Sequence, residues 1–278
     1  MQENRKNILI SIGFVVILIL VFIINILSKD KIISTSERRK LVQFPEITTK
    51  KVFDGTVSKD FEEYAMDQFV GRDLLRSIKS LFNFEIYRQK DNNKLFIEND
   101  SIYKIEYPLK EELIEKTAKR IEQIKEKYLK NMNVYYAIVP DKNYFLEDDN
   151  LKMDYEKLQN IMKTNLNNMV YINLFSELSS EDYYRTDIHW KQENIRKAVR
   201  KIEKEMNLKD TSKIKYEEKE LGEFYGVYYG QIGVRVKPDT MRYLTNDTIE
   251  NCTTYNFETS KTRKSIWLRK ISIISRQV

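Results

Sequence analysis

The sequence predicts an α/β domain with a mainly parallel sheet, carried behind one N-terminal transmembrane helix. Three observations predict this. Residues 8–27, ILISIGFVVILILVFIINIL, run twenty residues without a charge. Residues 109–206 alternate helical and strand patterns, the arrangement that builds parallel strands joined by helices. The only histidine, His189, lies soon after a strand pattern and just before a helical one, where α/β active sites collect.

At 1.5 Å per residue the uncharged run makes about 30 Å of helix, the hydrocarbon thickness of a bilayer. It has no polar stripe, which argues against a buried core helix. A cleaved signal peptide is the closer rival, but Ile26-Leu27-Ser28-Lys29 offers no small-x-small cleavage site, so an uncleaved anchor over 8–28 is favoured. Residues 1–7 precede it. Local charge leaves the orientation open. Arg5 and Lys6 lie before the span and Lys29, Lys31, Arg38, Arg39 and Lys40 after it, so the positive-inside rule opposes the ordinary placement of a short basic N-terminus in the cytoplasm.

Residues 29–93 read as a connector with N-terminal helices. Pro45 and Asp54-Gly55 mark turns. Phe61, Tyr64, Ala65 and Phe69 line one side of a helix. After a break at Gly71, Leu74, Leu75, Ile78, Leu81 and Phe82 recur at helical spacing.

Residues 94–258 read as the α/β domain. KLFIENDSIYKI (94–105) is a strand or hairpin. Residues 109–130 are helical, with Leu113, Thr117, Ile121, Ile124 and Tyr128 as one face. NVYYAIVP (133–140) is a strand stopped by Pro140. Residues 154–167 are helical, with Asp154 as N-cap and Leu158, Ile161, Met162 and Leu166 inward. MVYINLF (169–175) is the second strand, and 191–206 is a third helix through Ile195, Ala198, Val199, Ile202 and Met206.

Composition narrows the function. The chain has 278 residues, 48 Lys or Arg and 42 Asp or Glu, a net charge of +6. Residues 259–278 hold six of the basic residues and no acid, which leaves 42 basic against 42 acidic residues in 1–258. The excess is a tail and not a binding face, so no nucleic-acid partner is expected. One His and one Cys do not make a zinc site of the usual kind, and there is no Gly-rich phosphate loop, so no metal or cofactor is expected. The single Cys252 excludes an intrachain disulfide.

The chemistry centres on RTDIHWKQ (185–192). In an extended segment Asp187 and His189 project to one side, with Ile188 turned away. A carboxylate beside an imidazole fixes its tautomer and stabilises the imidazolium, the orienting half of an acyl-transfer triad. The bland alternative is a helix entry, with Thr186 or Asp187 capping and His189 satisfied by packing or water.

YYRTDIHW resembles the signature of the DHHW protein family, which is related to the SGNH-hydrolase-like polysaccharide O-acetyltransferases AlgX and AlgJ. ERRKLVQFPEIT followed by DGTVSKDFEEYAMDQFVGRD resembles that family's N-terminal pattern. VYYAIVPDKNYF resembles its strand and Pro-x-Lys turn, and GEFYGVYYGQIGVRVKPDTMRYL the segment after the His helix. The resemblance covers roughly residues 36–258. It implies an SGNH-hydrolase-like three-layer αβα domain outside the cytoplasm, with a Ser-His-Asp triad in which Asp187 orients and His189 is the general base. It also implies an N-in, C-out anchor at the cell membrane. Ile188 stands where the family has its first His, and Lys191 replaces a frequent Thr, which weakens the cap of the following helix.

The resemblance implies that the nucleophilic Ser follows the Asp-x-His segment in a Gly-Asp-Ser or Asp-Ser turn at a strand end, exposed beside the base and backbone N–H donors. Ser212, Ser260, Ser265, Ser272 and Ser275 are the candidates. None follows Asp and none sits in a Gly-containing turn, so the nucleophilic Ser is read as absent. The resemblance ends near Thr259, and 259–278 shows no clear hairpin or helix design. The expectation is an α/β domain incomplete at the C-terminus, an aberrant tail from a shifted frame, a marginally stable chain and no catalysis. A basic tail contacting lipid headgroups is the alternative.

Three functional readings follow. The first is a membrane-anchored relative of enzymes that transfer or remove O-acetyl groups on cell-envelope polysaccharide. The second is a non-catalytic envelope protein that binds glycan, stacking it on Tyr225, Tyr228 and Tyr229, or binds a membrane-bound O-acyltransferase partner. The third, from the local charge count, is a cytoplasm-facing interaction domain.

Overall fold

In the computed structural model the described residues are 2–34, 36–37, 39–146 and 151–264. They form a mixed α/β fold in two units, divided after Phe82.

The first unit opens with α1 (Gln2–Leu27), among the described residues the one helix long and apolar enough to cross a membrane. That property is compatible with an anchor or a signal sequence. A minimal hairpin of β1 (Ile33–Ser34) and β2 (Arg39–Lys40) follows, then α2 (Thr49–Phe53), α3 (Thr56–Gln68) and α4 (Arg72–Leu81). The break expected at Gly71 is there. Gly71 has φ +77°, a left-handed conformation that separates α3 from α4 and that favours glycine. A bidentate pair from Arg39 to Asp67, at 2.6 and 2.7 Å, ties β2 to α3. Hydrogen bonding to Arg39 holds the Asp67 carboxyl down at about 2.

The second unit holds the hairpin of β3 (Leu95–Glu98) and β4 (Ser101–Lys104), then α5 (Glu111–Tyr128), β5 (Tyr135–Ile138), α6 (Tyr155–Asn165), β6 (Val170–Asn173) and α7 (Arg196–Glu205). After these come β7 (Glu217–Phe224), α8 (Val227–Ile232), β8 (Asp239–Thr245), α9 (Asp247–Asn251), β9 (Thr253–Asn256) and β10 (Lys261–Lys264). The expected strands over 133–140 and 169–175 are β5 and β6, and they pair in parallel from Tyr135↔Val170 to Ile138↔Asn173. Asp154 caps α6 as its sequence position predicts, accepting the Lys157 N–H at 2.8 Å.

Alternating side chains give the β5–β6 pair two apolar faces. Tyr136 and Ile138 pack with Ala118 of α5, Met162 of α6 and Leu166 at the end of α6. Tyr135 and Ile172 face the other way, with Ala198 and Ile202 of α7. A third cluster joins the β3–β4 hairpin to α8 through Leu95, Ile102, Tyr228 and Ile232.

Four expectations need correction. The sheet is not mainly parallel. Among the described residues every sheet has two strands, and β5–β6 is the one parallel pair. After β6 the chain enters an irregular loop, and the next long strand, β7, turns back on β8 as an antiparallel pair instead of extending β5–β6. The inward face of α5 is rotated from the predicted one. Ile114, Ala118, Ile121 and Lys125 pack inward while Leu113, Ile124 and Tyr128 are exposed, because the small Ala118 admits close approach to α6. The third helix begins late, at Arg196. Lys191 provides no side-chain cap, its N–H goes to the Asp182 carbonyl at 2.7 Å, and residues 192–194 form only a 3₁₀ turn. Finally, the tail is not featureless throughout, since β10 pairs with β9 across a turn in which Asn256 Oδ1 accepts from the Thr259 N–H. Residues 265–278 lie outside the described residues.

Candidate functional site

Residues 183–190 are not an extended strand. Tyr183 and Trp190 pair across the loop, the Tyr184 N–H meets the His189 carbonyl at 3.1 Å, and the chain between them bends. Asp187 makes the bend. Its Oδ1 accepts the His189 backbone N–H at 3.0 Å, an Asx-turn, and the same oxygen lies 2.6 Å from His189 Nδ1. The two residues therefore meet as the sequence suggests, by a local turn and not by the alternation of a strand.

The bend is held from below and from both sides. Asp239, at the start of β8, accepts the Arg185 and Thr186 N–H groups at 2.8 Å each and the Thr186 hydroxyl at 2.6 Å. Thr186 Oγ1 in turn accepts the Gly226 N–H at 2.8 Å. Asp187 Oδ2 accepts the Val227 N–H at 2.8 Å. Lys142 comes up from the turn after β5 and donates to the carbonyls of Tyr184 and Arg185 at 2.8 and 3.1 Å. The Arg185 carbonyl also accepts the Ile102 N–H of β4 at 2.8 Å.

Gly226 is required here by space. A Cβ on it would stand 2.3 Å from both Asp187 Cβ and the Thr186 carbonyl oxygen.

Burial sets the electrostatics. Thr186, Asp187, Asp239 and Lys142 are all buried, whereas the His189 side chain is 75% exposed. Burial would raise the Asp187 carboxyl, but the N–H groups of His189 and Val227 and the His189 ring outweigh it and hold it below its ordinary value. Burial pushes the Lys142 ammonium down to about 7, against the pull of Asp239 and Asp187. Its cation lies 5.3 Å from the Tyr103 ring centre and 5.5 Å from that of Tyr228.

With Nδ1 directed at Asp187, the remaining ring nitrogen, Nε2, is the one free to exchange a proton with a substrate or hydroxyl. Among the described residues no serine hydroxyl is hydrogen-bonded to it. Ser212 donates to Asp210 at 2.8 Å, and Ser260 sits in the β9–β10 turn. Ser265, Ser272 and Ser275 lie outside the described residues. No group of three or more His, Cys, Asp or Glu among the described residues is placed to hold a metal ion. A cavity of about 200 Å³, bounded by Ile195, Val199, Tyr216 and Leu244 among others, includes neither Asp187 nor His189 in its lining.

Of the three tyrosines considered for glycan stacking, Tyr228 of α8 is buried in the core. Tyr225 is exposed, and its ring lies 4.3 Å from that of Tyr229. Sequence reasoning assigned no role to Lys142, Gly226 or Asp239, and considered Thr186 only as a helix cap. A signal was present for two of them: a lysine inside the aromatic VPDKNYF, and an aspartate after Pro238 at the head of a strand.

Solved structures similar to this chain include a DHHW family protein. That protein, from Eubacterium siraeum, is 18% identical with a TM-score of 0.45, over 55% of this chain and 54% of that one. Bacillus cereus PatB1 is 14% identical with a TM-score of 0.47, over 63% of each chain. The O-acetyltransferase domain of Pseudomonas putida AlgJ is 14% identical with a TM-score of 0.42, over 56% of this chain and 67% of that domain. The match spans about half the length of the DHHW family protein. No family model and no curated protein matches the chain.

Proposed function

We propose that this chain is a membrane-anchored, extracytoplasmic protein of the DHHW type. In this reading Asp187 and His189 are the orienting and acid–base half of an acyl-transfer site for acetyl esters of cell-envelope polysaccharide. The observation that carries the reading is the 2.6 Å contact between Asp187 Oδ1 and His189 Nδ1, made by a buried, three-fold hydrogen-bonded carboxylate to an exposed ring. Holding Nδ1–H toward the carboxylate leaves Nε2 as the base. It would take the proton of an attacking hydroxyl and return it to the leaving group, while Asp187 stabilises the imidazolium. The order of motifs along residues 36–258 supports the same reading.

A base without a nucleophile does not turn over, and in the described residues no serine is hydrogen-bonded to His189. We therefore propose that this chain is catalytically silent. The experiment is hydrolysis of an acetylated chromogenic ester by the detergent-solubilised chain and by His189→Ala. Equal, background rates are expected. A rate that His189→Ala abolishes would overturn the silence and support the acyl-transfer site. A reporter fused to the C-terminus tests the topology, and activity on the cytoplasmic side would refute export.

The exposed Tyr225 beside Tyr229 favours a second reading, a non-catalytic glycan-binding surface or one for a membrane-bound acyltransferase. Glycan binding that survives His189→Ala and falls in Tyr225→Ala would support it.

A further inference from the structure

Helix α4 is built the wrong way round for water. Its polar side is packed into the first unit: Arg72 pairs with Glu37 at 2.5 Å, Arg76 with Glu37 at 3.3 Å, and Ser80 is buried. Its apolar side faces out, with Leu74 65%, Leu75 52%, Leu81 50% and Ile78 41% exposed. The side chains of Phe61, Met66 and Phe69 continue this surface onto α3 as an open apolar groove of about 700 Å³. A helix in an aqueous domain normally turns its apolar stripe inward, and a contiguous patch left outside marks an interaction surface.

The place of this surface says what covers it. The turn between α3 and α4 is fastened to the last turn of α1: Asn25 Oδ1 accepts the Val70 N–H at 2.9 Å. Gln68 holds Lys31 through two bonds, at 2.9 and 3.0 Å, and the Tyr64 hydroxyl donates to Asp30 at 3.0 Å. Asn25 lies two residues inside the end of the apolar run, about 3 Å along the helix axis. If α1 spans a bilayer, α4 is held at the level where hydrocarbon meets headgroups.

We propose that the exposed faces of α3 and α4 lie in the lipid interface, with Leu74, Leu75, Ile78 and Leu81 entering the acyl boundary. Lys79, on the flank of the stripe, reaches back to the phosphates. The inference rests on the anchor reading of α1. It makes the first unit a foot that fixes the height and tilt of the chain on the membrane, in addition to tethering it.

The test uses the full chain with Cys252→Ser, reconstituted in phosphatidylcholine vesicles. Single cysteines at Leu75, Ile78, Phe14 and Lys213 carry an environment-sensitive fluorophore. Nitroxides are placed on lipid near the headgroup or deep in the acyl chain. At Leu75 and Ile78 a blue-shifted emission is expected, quenched by the shallow nitroxide and shielded from aqueous iodide. At Phe14 quenching by the deep nitroxide is expected, and at Lys213 quenching by iodide alone. If Phe14 is quenched in lipid but Leu75 and Ile78 are open to iodide, the anchor stands and the inference is overturned. Emission at Leu75 and Ile78 that is dry yet unquenched by lipid means that protein covers the face, and also overturns it. If Phe14 fails to meet lipid, the anchor reading falls and the inference falls with it.

Discussion

A Cβ placed on Gly226 would fall 2.3 Å from the Cβ of Asp187, so the two residues keep their contact only while position 226 has no side chain. Both sides of that contact are backbone-fixed. The Gly226 N–H is bound to Thr186, and the Val227 N–H to Asp187. Gly226→Ala must therefore push β7–α8 away from the 185–190 bend. Overpacking of this kind costs about 1–3 kcal/mol. Urea unfolding of the detergent-solubilised chain should show that loss, and hydrogen exchange should rise in residues 185–190. An unchanged midpoint would mean that the contact is not so close.

The carboxylate of Asp239 accepts three bonds from Arg185 and Thr186. Asp239→Asn puts an NH₂ against N–H donors in a buried site. Hydrogen bonds to a charged group contribute about 1.5–3 kcal/mol, and a loss of that order is expected in the unfolding free energy. Exchange protection of the Arg185 and Thr186 amides should fall first, while that of α5 and α6 is retained.

Since His189 is the only histidine, its ring nitrogens give one uncluttered pair of NMR signals. With the proton on Nδ1 facing Asp187, the neutral ring should show an Nδ1–H tautomer. In Asp187→Asn the population should move toward Nε2–H. Acid stability gives a second readout. The Asp187 carboxyl is held below its ordinary 3.8, so it stabilises the fold above that value and loses the contribution as pH falls toward its lower folded value. The stability of Asp187→Asn should fall less steeply over that window; parallel curves would contradict the shift.

Lys142 has the opposite sign of linkage. Its folded value of about 7 lies below the ordinary 10.5, so between these the unfolded chain binds more protons and stability rises with pH. Below pH 7 the lysine is charged in both states and burial opposes folding in full. Lys142→Met should flatten this rise, read as the difference between the two stability curves from pH 7 to 10. At neutral pH it also removes the donor to the Tyr184 carbonyl, a cost of about 1–3 kcal/mol.

How much of this was legible beforehand depends on range in the chain. The uncharged run of α1, the Gly71 break, the Asp154 cap and the β5 and β6 strands all follow from patterns a few residues long, and each is found. Hydropathy points Leu113 and Tyr128 of α5 inward, whereas a small residue, Ala118, sets the packing line. Alternation of helix and strand suggests a larger parallel sheet but says nothing about which strand pairs with which. The pairing of β7 with β8 is set by which strand edges the fold brings together, and the pattern within either segment does not show it.

Sequence alone pointed to Asp187 and His189 as neighbours two residues apart, through an extended segment; the structure joins them by an Asx-turn whose bonds are local to the chain. The sequence determined that α1 is suited to a bilayer, since twenty uncharged residues need no partner to be apolar. What only the tertiary structure decided is the support under that pair. Lys142, Gly226 and Asp239 lie 40 to 54 residues from the loop residues they bond. A buried carboxylate or ammonium is stable only where the fold delivers its hydrogen-bond partners. The inversion of α4 was likewise hidden. Its spacing shows two faces, but which face is inside depends on Glu37 and Asp67 being carried against the arginines.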